Sequence, residues 1–242
     1  MRTLTATLAA LALATTAAMA QDVVRMGTEG AYPPYNFIND NNEIDGFERE
    51  LGDELCRRAN LTCEWVINDW DTIIPNLVAG NYDTIIAGMS ITEARSQVIS
   101  FTQNYLPSDP SAYMALAGAD ESVMSGIVAT QSNTVQAGVV AETDATLVEF
   151  PTPDETIAAV RNGTVDAVLA DKAFLSPIVA ESGGELIFVG GDLYPGAGTG
   201  MGLRQSDTAL RETFDAAIAE MKADGSLNAM IEKWFGDDIS KF

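Results

Sequence analysis

The 242-residue chain contains no histidine. That excludes Ser-His-Asp and Cys-His nucleophile activation and every histidine-bearing zinc site. Two cysteines are too few for a structural zinc site, although Cys56 and Cys63 could form one short disulfide. Basic residues are scarce: 13 Lys plus Arg stand against 35 Asp plus Glu, a formal net charge of −22 spread along the chain rather than gathered in a tail. Nucleic acid and anionic membrane are poor partners for such a chain. Beyond the N-terminal stretch no segment is long and apolar enough to span a bilayer. What is present, 47% hydrophobic residues with 20 Gly and 9 Pro, is the composition of globular structure with many turns, of a length for one large domain or two small ones.

The N-terminus bears on the compartment. Arg2 precedes an Ala- and Leu-rich stretch, Leu4 to Met19, that closes in Ala18-Met19-Ala20, the small-x-small pattern of a signal-peptidase site. The stretch is shorter than a membrane anchor and rich in Thr. Residues 1–20 are therefore expected to be a signal peptide, with an exported, soluble chain starting at Gln21. No cysteine stands directly after the expected cleavage site, so a lipid anchor is not suggested. In an oxidising compartment a Cys56–Cys63 disulfide would stabilise by about 2.5 kcal/mol through loop closure.

Short β-branched runs then alternate with helical spacing. Val23–Gly27, Glu64–Ile67 and Asp83–Ala87 read as strands. Phe47, Leu51, Leu55 and Ala59 recur every four residues along one helix face, and Asp71 is placed to cap a helix carrying Ile73, Ile74, Leu77 and Val78 that stops at Gly80. The same grammar returns in Gly126–Thr130, Thr134–Ala141, Leu147–Phe150, Asp154–Arg161 and Asp166–Ala170. Asp71-Thr72-Ile73-Ile74, Gly80 and Asp83 to Ala87 are echoed by Asp154 to Ile157, Gly163 and Asp166 to Ala170 at one constant offset. Strand-helix-strand repetition predicts parallel sheets with helices on both faces, and the echo suggests two lobes on one plan. Leu106-Pro107-Ser108-Asp109-Pro110 and Gly190 to Gly198 read as crossing segments. The closing helices, Asp207–Ala223 and Leu227–Phe235, bring no new strands and are expected to return to the first lobe. The expected division is 21–108 and 196–242 for a discontinuous first lobe and 109–195 for the second, joined by a two-strand hinge.

In open α/β sheets ligands sit outside the carboxyl ends of the strands. The residues there are Thr28-Glu29-Gly30-Ala31-Tyr32-Pro33-Pro34-Tyr35, Asn68-Asp69-Trp70, Gly88-Met89-Ser90-Ile91-Thr92-Glu93-Ala94-Arg95, Gln131-Ser132-Asn133-Thr134 and Asp171. They supply aromatic rings, helix-start amides, an arginine and carboxylates.

Glu29-x-x-Tyr32-Pro33-Pro34, Gly46-Phe47-Glu48-x-x-Leu51, Asp69-Trp70-Asp71-x-x-Ile74-Pro75-x-Leu77, Ser90-Ile91-Thr92-x-x-Arg95 and Gly198-Thr199-Gly200-Met201-Gly202-Leu203-Arg204 resemble the family 3 extracellular solute-binding proteins, the amino-acid receptors of ATP-driven importers. Within that family the chain is similar to the lysine/arginine/ornithine, histidine and opine receptors. The resemblance runs over essentially the whole chain after the signal and includes the Cys56 and Cys63 spacing, which those receptors close as a disulfide. It implies the type II periplasmic-binding-protein fold, with two Rossmann-like lobes that close on a ligand and present the closed form to a membrane permease.

Residue by residue, the resemblance implies that the planar fork of Arg95 binds the ligand's α-carboxylate, together with Ser90 and the helix start at Thr134. Asp171 would accept the α-ammonium, while also being placed to cap the helix that follows. Tyr32 and Trp70 would flank the ligand's side chain, and Glu29 would meet a distal positive charge. Ala87, Gly88, Met89 and Asn133 complete the expected lining. Ala87 and Gly88 stand where several basic-residue receptors carry serines, and Val135 where some carry a polar group. Opine receptors resemble this chain in Ala87-Gly88-Met89-Ser90 and Trp70. The expectation is a periplasmic, monomeric receptor for a cationic L-amino acid (lysine, arginine, ornithine or a related opine), with no cofactor and no metal and not an enzyme. The alternatives are a periplasmic dehydratase for cyclohexadienyl acids on a similar fold, using Asp171 or Glu29 as acid or base, and a sensing module.

Overall fold

The computed structural model describes residues 23–237 and 239–242. The expected signal peptide lies outside the described residues. The chain opens with β1 (Val24–Thr28), then a small antiparallel meander of β2 (Ala31–Tyr32), β3 (Asn36–Ile38) and β4 (Ile44–Asp45), then α1 (Phe47–Arg58), β5 (Cys63–Ile67), α2 (Ile73–Val78), β6 (Thr84–Ile85), α3 (Glu93–Ser96) and β7 (Ser100–Phe101). A second set follows: β8 (Ser111–Leu116), β9 (Ile127–Gln131), α4 (Val135–Ala141), β10 (Thr146–Phe150), α5 (Pro153–Arg161), β11 (Ala167–Asp171), α6 (Lys172–Glu181) and β12 (Leu186–Leu193). The chain closes with β13 (Gly202–Leu203), α7 (Thr208–Asp224) and α8 (Ser226–Phe235).

Two five-stranded sheets result, ordered β5-β1-β6-β13-β7 and β10-β9-β11-β8-β12. They share one plan. In each, three parallel strands occupy one side, and the fourth position is an antiparallel strand, β13 against β6 and β8 against β11. The fold is the α/β type II periplasmic-binding-protein architecture, with the first lobe discontinuous in sequence.

The physical cause of that discontinuity is apolar burial. Phe47, Leu51 and Leu55 of α1 are fully buried, in one core with Met26 of β1, Leu203 of β13, Phe214, Ile218 and Met221 of α7, and Leu227 and Ile231 of α8. Each such side chain contributes about 1.5–3 kcal/mol by leaving water. The opposite face of the same sheet packs Ile73, Leu77, Tyr82, Ile85 and Ile99. In the second sheet Ile157, Val160, Phe174 and Leu175 fill one face, and Val128, Val140 and Leu169 the other.

Local chemistry sets the element ends. Thr152 and Glu155 form a reciprocal capping box at α5, with Pro153 in its first turn. Cys56 at the end of α1 is bonded to Cys63 at the start of β5. Two details depart from the sequence pattern. Asp71 caps nothing: a 3₁₀ turn over Trp70–Thr72 leads into α2, and the Asp71 carboxylate reaches across to the other lobe. The strand expected over Asp83–Ala87 shortens to Thr84–Ile85, because Asp83 is held by Arg25 and Arg204, each at 2.9 Å, and Gly88 turns the chain out of the sheet with φ 61°.

The chain passes between the sheets twice, and the two passages run side by side. Leu106 bridges Thr199, the Ser108 hydroxyl donates to the Gly196 carbonyl at 3.3 Å, and Leu193 pairs with Ser111. Contact is closest at Gly198, where a Cβ would stand 2.6 Å from the Leu106 carbonyl oxygen and φ is +97°, so only glycine fits. Among the described residues no helix is long and apolar enough to cross a membrane.

Candidate functional site

A cavity lies between the two sheets, at the carboxyl ends of β1, β6, β9 and β11. Nine of the expected positions line it: Glu29, Tyr32, Trp70, Ala87, Gly88, Ser90, Arg95, Thr134 and Asp171. Met89 instead is fully buried in the core with Ile73 and Leu77 of α2 and does not line the cavity. Asn133, in the left-handed region at φ 57°, turns its side chain away to Asp71 at 3.0 Å and offers only its carbonyl towards Arg95.

Arg95 stands on the short helix α3, whose start is capped by the Thr92 hydroxyl. Its guanidinium donates to the Ser90 carbonyl at 2.9 Å and, across the cleft, to the Asn133 carbonyl at 3.0 Å, and it lies over the Trp70 ring at 5.3 Å. Burial pulls its pKa down to about 10, against the attraction of Asp171, so it stays protonated at neutral pH. The Trp70 indole N–H donates to the Ser132 carbonyl at 2.9 Å, a second tie between the lobes.

Asp171 ends β11 and precedes α6, but its carboxylate makes no capping bond. It accepts from the Tyr32 hydroxyl at 2.8 Å, from Gln136 at 2.9 Å and from Ser111 at 3.4 Å. Burial raises its pKa, while these donors and the charge of Arg95 oppose the rise. Tyr32 stacks on Phe174 at 4.4 Å, which fixes its ring against the second lobe. Glu29 is buried at the end of β1 and accepts from Gln131 at 2.6 Å. Burial pushes its pKa up to about 7, with Asp69, Asp71 and Glu48 adding repulsion and the Gln131 bond opposing. The Thr134 hydroxyl caps α4, accepting from the Ala137 amide.

Five side chains at or behind the cavity had no role in the sequence reading: Gln131, Gln136, Glu48, Asn36 and Asp109. Gln131 and Gln136 hold the two cavity carboxylates, Glu29 and Asp171; Gln131 stands among the strand-end residues, whereas Gln136 is marked by nothing but its place as the second residue of α4. Glu48, fully buried, accepts from the Gly88 amide at 2.6 Å, from Asn36 at 2.7 Å and from the Tyr105 hydroxyl. Asn36 in turn accepts from the Gly30 amide at 2.7 Å. One carboxylate thus ties the loop after β1, the loop after β6 and the first crossing segment together. Asp109, in that crossing segment, accepts from the Tyr35 hydroxyl at 3.4 Å.

In comparison with known proteins, the family model described as bacterial extracellular solute-binding proteins, family 3, matches residues 24–237. The lysine/arginine/ornithine-binding periplasmic protein of Escherichia coli K12 is 30% identical over 90% of this chain and 89% of its own length. The octopine-binding periplasmic protein of Rhizobium meliloti is 29% identical over 93% and 94%. A solved structure of a periplasmic His/Glu/Gln/Arg/opine family-binding protein from Silicibacter pomeroyi, in complex with lysine, is 70% identical. It covers 90% of this chain and 100% of its own, with a TM-score of 0.88.

Proposed function

The chain belongs to the family 3 bacterial extracellular solute-binding proteins, and from that premise we propose that it is the periplasmic receptor of an ATP-driven importer whose ligand is a cationic L-amino acid, lysine or arginine first. The observation that carries the ligand class is the charge inventory of the cavity. Two carboxylates, Glu29 and Asp171, face one cation, Arg95. An α-amino acid brings one carboxylate for Arg95 and one ammonium for Asp171, which leaves Glu29 to be matched by a second positive charge.

In this assignment Arg95 takes the α-carboxylate with Ser90 and the Thr134 backbone beside it. Asp171, held in place by Tyr32, Ser111 and Gln136, takes the α-ammonium. The alkyl stem lies between Tyr32 and Trp70, and its cationic end meets Glu29. Lobe one is residues 21–108 and 196–242, lobe two 109–195, and the paired crossing segments are the hinge. Because Glu29, Arg95 and Trp70 come from one lobe and Asp171 and Thr134 from the other, a ligand touching all of them favours the closed form by its differential affinity. The receptor acts as a monomer after signal-peptide removal, and the closed form is what the permease, or a sensor, reads. A dehydratase acting on cyclohexadienyl dicarboxylates is disfavoured because the cavity's surplus negative charge repels such substrates.

The test is thermal unfolding of the chain from Gln21 onward against lysine, arginine, ornithine, histidine, glutamine, glutamate and prephenate. A hundredfold excess over Kd adds about 2.7 kcal/mol, a rise of roughly 5–10 °C for a chain of this size. Cationic amino acids are expected to give the largest shifts, and Arg95→Ala to remove them all. A shift with glutamate alone overturns the ligand assignment, and turnover of prephenate overturns the receptor.

A further inference from the structure

A second cavity adjoins the first on the hinge side. The two share Gly88, Ser90 and Asp171 as a common wall, and the second continues between the crossing segments to Tyr35, Ser108, Asp109, Pro195, Gly198 and Thr199. The shared wall contains the group assigned to the ligand's α-ammonium. Space beyond it is therefore the space that a substituent on the α-nitrogen would enter, since the carboxylate and the side chain are directed to Arg95 and Glu29.

The chemistry of that space is one-sided. Its charged residues are Asp109 and Asp171, both acids. Among the described residues no basic side chain forms a salt bridge with Asp109. The cation that acts on it, Lys172, is committed to both carboxylate oxygens of Asp192 at 2.8 Å. The Tyr35 hydroxyl, at 3.4 Å, holds the Asp109 carboxylate in place, and Tyr35 itself is buried against Phe235 in the first lobe's core.

Taking Asp171 as the α-ammonium site, we propose that Asp109 is a specificity-determining residue: it bars carboxylate-bearing substituents on the ligand's α-nitrogen, so that the receptor takes free cationic amino acids and rejects their N-carboxyalkyl derivatives, the opines. The reason is electrostatic. An opine keeps its positive nitrogen near Asp171 but pushes a second carboxylate into a small cavity walled by another acid, without a cation to receive it. Burial beside Asp171 holds the Asp109 carboxyl up to about 7. A bound ammonium next to the two acids favours their charged forms, so the barrier is strongest in the liganded site.

The inference rests on the receptor reading, and calorimetry at pH 8 separates the two. Free L-arginine or L-lysine, whichever binds more tightly, is compared with its own Nα-carboxyethyl derivative, on the protein as found and on Asp109→Asn and Asp109→Glu. The unsubstituted protein should bind the free amino acid about a hundredfold more tightly than the derivative. Asp109→Asn should narrow that ratio at least about tenfold while moving the free amino acid's Kd less than about threefold, and Asp109→Glu, which keeps the charge, should preserve the rejection. If the unsubstituted protein binds neither free amino acid, the receptor reading falls and this inference with it. If it binds one and the ratio is unchanged in Asp109→Asn, or the derivative binds equally well from the start, the inference alone is overturned.

Discussion

Glu29 offers a direct test of the charge argument. Burial raises its carboxyl from an ordinary 4.5 to about 7. A ligand cation placed against it restores the charged form, and bringing the pKa back to its ordinary value corresponds to about 3 kcal/mol, or about a hundredfold in Kd. Binding must then expel the proton that Glu29 carried. The protonated fraction is about nine-tenths at pH 6, half at pH 7 and one-tenth at pH 8, so proton release should fall in that order and affinity should rise with pH until it levels near pH 8. Isothermal titration calorimetry of lysine in buffers of different ionisation enthalpy measures the release. Asp109 titrates in the same range, so the Glu29 share is the difference between the original protein and Glu29→Gln. That variant should also weaken lysine about a hundredfold at pH 8 while leaving glutamine unaffected. Unchanged lysine affinity at pH 8, or an identical proton count with and without Glu29, would show that this carboxylate does not face the ligand's charge.

Three further outcomes follow from the same structure. Glu29 and Asp109 are both raised to about 7, so the folded state keeps protons that the unfolded chain has already lost between about pH 4.5 and 7; stability of the ligand-free protein should therefore fall as pH rises through that window. A Tm lower by roughly 10–20 °C at pH 8 than at pH 5, flattened in Glu29→Gln/Asp109→Asn, is expected by thermal unfolding, and a flat original profile would contradict it. Glu48→Ala should cost at least about 3 kcal/mol in urea unfolding because three buried donors lose their acceptor, with Glu48→Gln recovering part; a cost under about 1 kcal/mol would mean water replaces the carboxylate. Replacing Cys56 and Cys63 together by Ser should remove about 2.5 kcal/mol without changing ligand affinity at 25 °C, so a changed Kd would show that the disulfide shapes the site.

The larger architecture was legible wherever one face of an element is apolar at regular spacing. Phe47, Leu51 and Leu55 announced α1, and the closing helices returned to the first lobe because Phe214, Ile218 and Leu227 have no other core to enter. The echo at constant offset corresponds to two sheets of one strand order. Periodicity could not reveal β2, β4, β7 or β13, since a two-residue strand has too few positions to show a period. At the cavity, residues directly following strands were readable because the sheet places them. Side chains acting through distant partners were not: Glu48 meets Gly88 and Tyr105 across 40 and 57 residues of chain. Asp71 had a local explanation as a cap, and the cross-lobe bond that overrides it exists only once both lobes are folded.

That cross-lobe bond separates two properties of a carrier. Asp71 grips Ser132 and Asn133 at the exposed mouth of the cleft, outside the cavity lining. A clasp in that position slows the escape of every occupant by the same factor, because it is broken on opening whatever lies inside. On the proposed assignment it would lengthen residence without altering the ranking of ligands, which Glu29, Arg95 and Asp171 deeper in would set. Hold and choice are thus written in different residues, and substitutions at the mouth can retune how long cargo is kept while leaving untouched which cargo is taken.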